Sequence, residues 1–340
     1  MTATVRRRHP ARPWLAAAAG GLVLVIAAAV WHLTLGAVRV PAGEVISALT
    51  GHASTPGEMI VVDIRLPRVL VALAVGAALA AAGVVMQGVT GNPLAAPDLL
   101  GVTAGASFAV VLALTVVPRL AEVSTVALAL CGAAAAGCAV LALAGRSKGS
   151  GLRENRLILG GVTVSALLLS LTQGLIIFHE NNAESVVYWL VGGVNLSQWR
   201  EAWTILPVAL AGIAGCLAMA SRLNVLALGE EMARSLGQRV ALVRLCGAAL
   251  VILISGACVA VAGPIGFVGL VVPHMARRLV GSDHVRLLPV SALFGGALLV
   301  LADAVSHFVN PPNEVPAGVV TALLGAPYFV WLARRDRKSA

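Results

Sequence analysis

The chain has 340 residues, 59% of them hydrophobic and only 11% charged, with a mean hydropathy of +0.93 and a formal net charge of +9. Such figures exclude a water-soluble globular domain. They describe an all-α polytopic membrane protein: the apolar runs approach the roughly 20 residues that cross a hydrocarbon core about 30 Å thick, and the ten-residue alternation of a transmembrane barrel is absent.

In chain order, a basic tail at 1–13 precedes apolar runs at 14–35, 66–88, 97–117, 122–145, 156–178, 202–221, 241–263, 265–280, 287–308 and 317–333. About ten transmembrane helices in one domain, 1–340, are therefore expected, ending in a short tail at 334–340. The first run follows an arginine cluster, as a signal peptide would, but it exceeds a signal h-region in length and lacks a prompt small-x-small site, which favours a retained span. The eighth run is short, contains Pro273 and His274, and is parted from the seventh only by "GPIG". A tight turn or broken helix buried against neighbours is as consistent with it as a full crossing.

Placing the N-terminus in the cytoplasm puts 19 of the 24 basic residues on that side and leaves Arg39, Arg65, Arg68, Arg119 and Arg200 outside. Ten spans with both termini cytoplasmic satisfy this bias. The net positive charge is then a topology signal and gives no reason to expect a nucleic-acid partner. Cys131, Cys138, Cys216, Cys246 and Cys258 lie within spans, form no C-x-x-C pair and read as packing residues.

Between the sixth and seventh spans, Leu223 to Val240 reads "LNVLALGEEMARSLGQRV". Leu228, Met232, Leu236 and Val240 recur every four residues, Glu230 and Arg234 stand as an i,i+4 pair, and Gly229 and Gly237 punctuate the segment. Two short amphipathic helices over 223–240 fit this pattern. Either a solvated helix lying on the membrane surface or a docking surface for a cytoplasmic protein accounts for them.

"GEEMARSLG" resembles the "GE..A..LG" coupling segment of the FecCD-type permease subunits of type II ABC importers, a family that carries iron-siderophores, haem and cobalamin. Further stretches are similar to that family in the same order. They are "RLPRVLVALAVGAALAAAGVVMQGVTGNPLAAPDLLGVTAGA" (65–106), "VYWLVGG" (187–193), "GPIGFVGLVVPHMARRLVGSDH" (263–284) and "EVPAGVVTALLGAPYFVWLARR" (314–335). The resemblance implies the type II permease fold and a multi-pass protein of the bacterial cytoplasmic membrane. It implies coupling to two cytoplasmic ATPase subunits through Gly229, Glu230, Glu231, Arg234, Leu236 and Gly237. It also implies a second permease copy, identical or a sister subunit, and an extracytoplasmic substrate-binding protein.

The chain has no G-x-x-x-x-G-K-[ST] loop, and its only lysines are Lys148 and Lys338, so no cofactor is expected on it and ATP and Mg would sit on the partner ATPases. No catalytic residue or metal site is expected: H-E-x-x-H and G-x-S-x-G are both missing, and His274 has no second ligand at useful spacing. Arg65 and Arg68, at the outer mouth of the second span, either snorkel to the headgroups or, as the resemblance implies, receive carboxylates of the binding protein. His307 aligns with a third arginine that some members carry for the same contact. By the same resemblance, Glu154 and Asn155 fall where a cytoplasmic gate would lie, against the alternative of a solvated loop. Asp303, inside the ninth span, is a functional candidate by position, with a buried hydrogen bond to a neighbouring helix as the other role. A proton-coupled secondary transporter would call for a relay of such residues, and Asp303 alone supports it thinly. Substrate rests on the resemblance too: ferric siderophores first, then cobalamin or haem.

Overall fold

The computed structural model describes residues 13–35, 39–51, 55–144, 150–179, 183–309 and 314–336. Their regular structure is all helical, joined by turns and irregular chain, with no strand among them. Among the described residues, the helices that overlap the expected runs are α1 (Pro13–Thr34), α4 (Leu66–Thr90), α5 (Val102–Val116), α6 (Pro118–Ala144), α7 (Ser150–Phe178), α9 (Trp199–Leu226), α11 (Val240–Ala262), α12 (Val268–Val280), α13 (His284–Val309) and α14 (Ala317–Asp336). Four short ones fall between them: α2 (Ala42–Leu49), α3 (Pro56–Ile60), α8 (Ala183–Leu190) and α10 (Glu230–Ser235). Seven helical stretches among the described residues, in α1, α3–α4, α6, α7, α9, α11 and α13, are individually long and apolar enough to cross a membrane. The 15-residue α5 and the 13-residue α12 are too short to do so alone.

α4 is the centre, packed against α9, α11, α12 and α13. Its run "VALAVGAALAAAGVV" is buried almost throughout, because lipid tails are as apolar as the side chains and helices associate instead through close packing of small residues. A Cβ on Gly76 would collide with the Gly295 carbonyl of α13, and one on Gly83 with the Gly269 carbonyl of α12. A reciprocal approach of Gly105 and Gly132 joins α5 to α6. α7 packs on α5 and α6 and leaves Leu159, Leu167 and Ile177 exposed on its outer side.

The short eighth helix has a local cause. Phe267, just before α12, holds φ +68°, a left-handed conformation costly for a residue with a Cβ. It is stabilised by packing: Gly325 of α14 lies so close that a Cβ there would strike the Phe267 ring. The chain from 263 to 267 is thereby a fixed break between α11 and α12.

Candidate functional site

Polar side chains gather at the two ends of this bundle, with α4 running between them. At one end stands α10. Gly229 enters it at φ +102° and Gly237 leaves it at φ +80°, conformations that glycine adopts without a Cβ penalty. The exit is a Schellman turn, with Gly237 N donating to Arg234 O (2.9 Å) and Gln238 N to Ala233 O (2.9 Å). Gln238 Nε2 also donates to Arg222 O (2.8 Å), tying the turn back to α9. The segment holds one short helix where two were expected, because residues 223–226 complete the last turn of α9.

The orientation of α10 is the reverse of a self-contained surface helix. Its small Ala233 is buried, whereas Leu228, Met232 and Leu236 are 64%, 53% and 61% exposed along one outward stripe. Val240, the fourth member of the repeat, is buried at the start of α11. Glu230 turns inward to Arg244 of α11 (Oε2 to Nη2, 3.1 Å) and pairs with Arg234 on its own helix. Behind α10 lies an open crevice of about 420 Å³, lined among others by Gln87, Thr90, Gly91, Glu230, Arg244 and Arg277. Around it Arg277 Nη2 donates to Gln87 Oε1 (2.8 Å), joining α12 to α4. Asn224 Nδ2 donates to Asp283 Oδ1 (2.7 Å) and its Oδ1 accepts from His284 N (2.8 Å), joining α9 to the start of α13.

At the opposite end, Arg68 in the first turn of α4 is enclosed. Its Nε and Nη2 donate to Asp303 Oδ2 (2.6 Å) and Oδ1 (2.9 Å) of α13, a bidentate fork, and its Nη1 donates to Glu314 Oε2 (2.7 Å). His32, in the last turn of α1, donates from Nε2 to Asp303 Oδ2 (2.7 Å). The Arg68 and Asp303 side chains are 5% and 0% accessible. His307 donates from Nδ1 to the Asp303 carbonyl (2.9 Å) and holds Nε2 3.3 Å from Glu314 Oε1. Arg65 is also buried and donates from Nη1 to Leu33 O (2.7 Å).

Arg65, Arg68 and His307, the residues named for docking, thus lie close together, with both arginines buried. The physical reason for the burial of Arg68 is Asp303: a carboxylate at that depth demands a cation, and the Arg68 guanidinium supplies it. Asp303 has the buried hydrogen-bonding role foreseen for it. Glu231 is exposed on α10. Glu154 and Asn155 fall in the early turns of α7, and their side chains lie outside the described residues. His274 stacks edge-on to Tyr328 of α14, centroids 6.3 Å apart, and no group of three metal-ligating side chains occurs among the described residues. Sequence reasoning missed His32, Glu314, Asn224, Gln87 and Arg277. For His32 and Glu314 a signal existed, since an acidic residue within a span implies partners at the same depth.

The sequence model of the FecCD transport family matches residues 22–335. The chain is 42% identical to the Fe(3+)-citrate import system permease protein YfmD of Bacillus subtilis (strain 168), over 90% of both chains. It is also 42% identical to the cobalamin import system permease protein BtuC of Halobacterium salinarum, over 83% of this chain and 74% of that one. Among solved structures, a metal-chelate type ABC transporter in an inward-facing conformation superposes with a TM-score of 0.81 at 31% identity, covering 94% of this chain and 98% of that one. With the family model spanning nearly the whole chain and its relatives matched at full fold, the protein belongs to the FecCD transport family as a membrane-spanning ABC transporter permease.

Proposed function

We propose that the chain imports ferric siderophores across the bacterial cytoplasmic membrane as one of two permease copies, identical or sister, driven by two ATPase subunits seated on α10. The outward stripe of Leu228, Met232 and Leu236 carries this reading, because three exposed apolar side chains on and beside α10, set among the exposed Glu231 and Arg234 while Glu230 turns inward to Arg244, need a protein to cover them. ATP and Mg belong to those ATPases, whose closure would shift α10 and the helices attached to it. The α10 end is then cytoplasmic, as are both termini, and the gate falls at Glu154 and Asn155. The Arg68 end receives an extracytoplasmic binding protein, and a carboxylate from that protein reaches Arg68 only by taking the place of Glu314, its half-exposed partner. The similarity to YfmD supports an iron chelate as substrate; the similarity to BtuC keeps cobalamin as a second reading.

The test is uptake of radio-iron on a panel of siderophores, with labelled cobalamin and haem alongside, in cells with and without this chain and its ATPase. Iron entry that requires both is the expected result. Uptake of cobalamin or haem alone would overturn the substrate, and ATP-independent transport would overturn the mechanism.

A further inference from the structure

Residues 91–101, between α4 and α5, leave the α10 end and turn back into the bundle. Gly91 and Pro93 line the crevice behind α10, whereas Pro97 and Asp98 share a small cavity with Leu79, near the midpoint of α4, and with Cys258 and Gly269. The segment therefore climbs about half the height of α4 as irregular chain, closed by a single 3-10 turn at Pro97–Leu100. That re-entry explains why α5 has only 15 residues.

Asp98 stands at this depth with its side chain exposed. Its one described side-chain hydrogen bond is accepted from the Thr103 hydroxyl on α5, and no arginine, lysine or histidine among the described residues pairs with it. An unpaired carboxylate facing lipid at mid-depth is strongly disfavoured. Irregular backbone at that depth is tolerated only where it is buried in protein or lines a water-filled space. The cavity beside Asp98, about 20 Å³, has room for one water molecule. Gly101, at the end of the turn, abuts Val164 and Ser165 of α7, the helix whose outer face is left unpacked.

The geometry points to Asp98 as a residue of the translocation path that sets its charge preference. It accepts hydrogen bonds from neutral or cationic, donor-bearing metal chelates and repels polyanionic carboxylate chelates. Thr103 fixes the carboxylate's position by donating to one oxygen and leaves the other for the passing chelate. This rests on the permease reading above.

Two measurements test it. In proteoliposomes holding the full complex with ATPase and binding protein, the rates for a neutral ferric trihydroxamate and for anionic ferric dicitrate are compared in the unaltered protein and in Asp98→Asn. The anionic-to-neutral ratio is expected to rise about tenfold in the variant, the scale of removing one nearby charge at an intermediate dielectric; an unchanged ratio overturns the proposal. Separately, Asp98→Cys is made in a chain whose five native cysteines are replaced by alanine and is treated with a charged, membrane-impermeant thiol reagent. Labelling that the trihydroxamate slows supports a place on the path, and absence of labelling overturns it. If the unaltered complex transports neither chelate, the iron reading fails and the labelling alone decides the place of Asp98.

Discussion

Removing the carboxylate of Asp303 is the sharpest perturbation available. Asp303→Leu strips Arg68 of two of its three described bonds, at 2.6 and 2.9 Å, and leaves a guanidinium with 5% accessibility facing only Glu314. Breaking a buried ion pair from one side costs about 3–5 kcal/mol, because the surviving charge stays desolvated. Arg68→Met is expected to cost a similar amount from the other side, leaving Asp303 with His32 alone. With both groups apolar, the remaining penalty is the orphaned His32 Nε2–H, about 1–3 kcal/mol. The double variant should therefore be more stable than either single one, with a coupling energy of at least about 3 kcal/mol. Denaturant unfolding in mixed micelles, followed by the fluorescence of the six tryptophans, measures the cycle. Added salt should leave the coupling nearly unchanged, since buried pairs are poorly screened. Single variants costing under about 1 kcal/mol, or an additive double variant, would refute a desolvated network.

The helix contacts predict a contrast between glycines. Gly83→Ala and Gly295→Ala place a methyl against a backbone carbonyl and should sharply lower the yield of monodisperse protein on size exclusion, whereas Gly20→Ala, with nothing within 4 Å, should be neutral or stabilising by up to about 1 kcal/mol. At α10, Met232→Asp sets a charge in the exposed stripe and should abolish copurification of the ATPase while leaving membrane insertion intact; retained copurification would remove the stripe from the interface. Glu231→Arg and Gly237→Trp should each uncouple transport, read as ATP hydrolysis without uptake. Gly237 has open space around it and tests backbone strain at φ +80°, and normal uptake would dismiss a coupling role.

Much of this architecture was legible because membrane helices announce themselves by composition. Each apolar run expected from the sequence contains a helix, though those at 97–117 and 265–280 hold only short ones, and the Gly229–Gly237 segment stood out as a charged, glycine-bounded interruption. What stayed hidden was pairing at long range. Arg68 and Asp303 are 235 positions apart, and nothing near Arg68 distinguishes an arginine that snorkels from one drawn inward. Only the carboxylate inside the ninth run carried that information, and it names a need for a cation without saying which. Asp98 was hidden differently. It falls within the run at 97–117, where hydropathy cannot separate a re-entrant turn from the first turn of a spanning helix.

The distribution of close contacts bears on how a push at α10 would be passed on. α4 is tied to α13 by Arg68–Asp303 and by Gly76 against Gly295, and to α12 by Gln87–Arg277 and by Gly83 against Gly269. α9 is tied to the start of α13 through Asn224. Both kinds of tie are short and geometrically demanding, which resists sliding among α4, α9, α12 and α13, while α11 packs on both α4 and α6. α5 and α6 form a second group through Gly105 and Gly132, with α7 packed on them. Residues 91–101 join the first group to the second through irregular chain, whose dihedrals can absorb a change that a helix would resist. Under the coupling proposed for α10, a displacement passed to α9 and α11 would reach both groups, and the irregular segment that carries Asp98 is one place where it could be absorbed. If the proposals for α10 and Asp98 both hold, a variant within 91–101 should alter the rate of transport and its selectivity together.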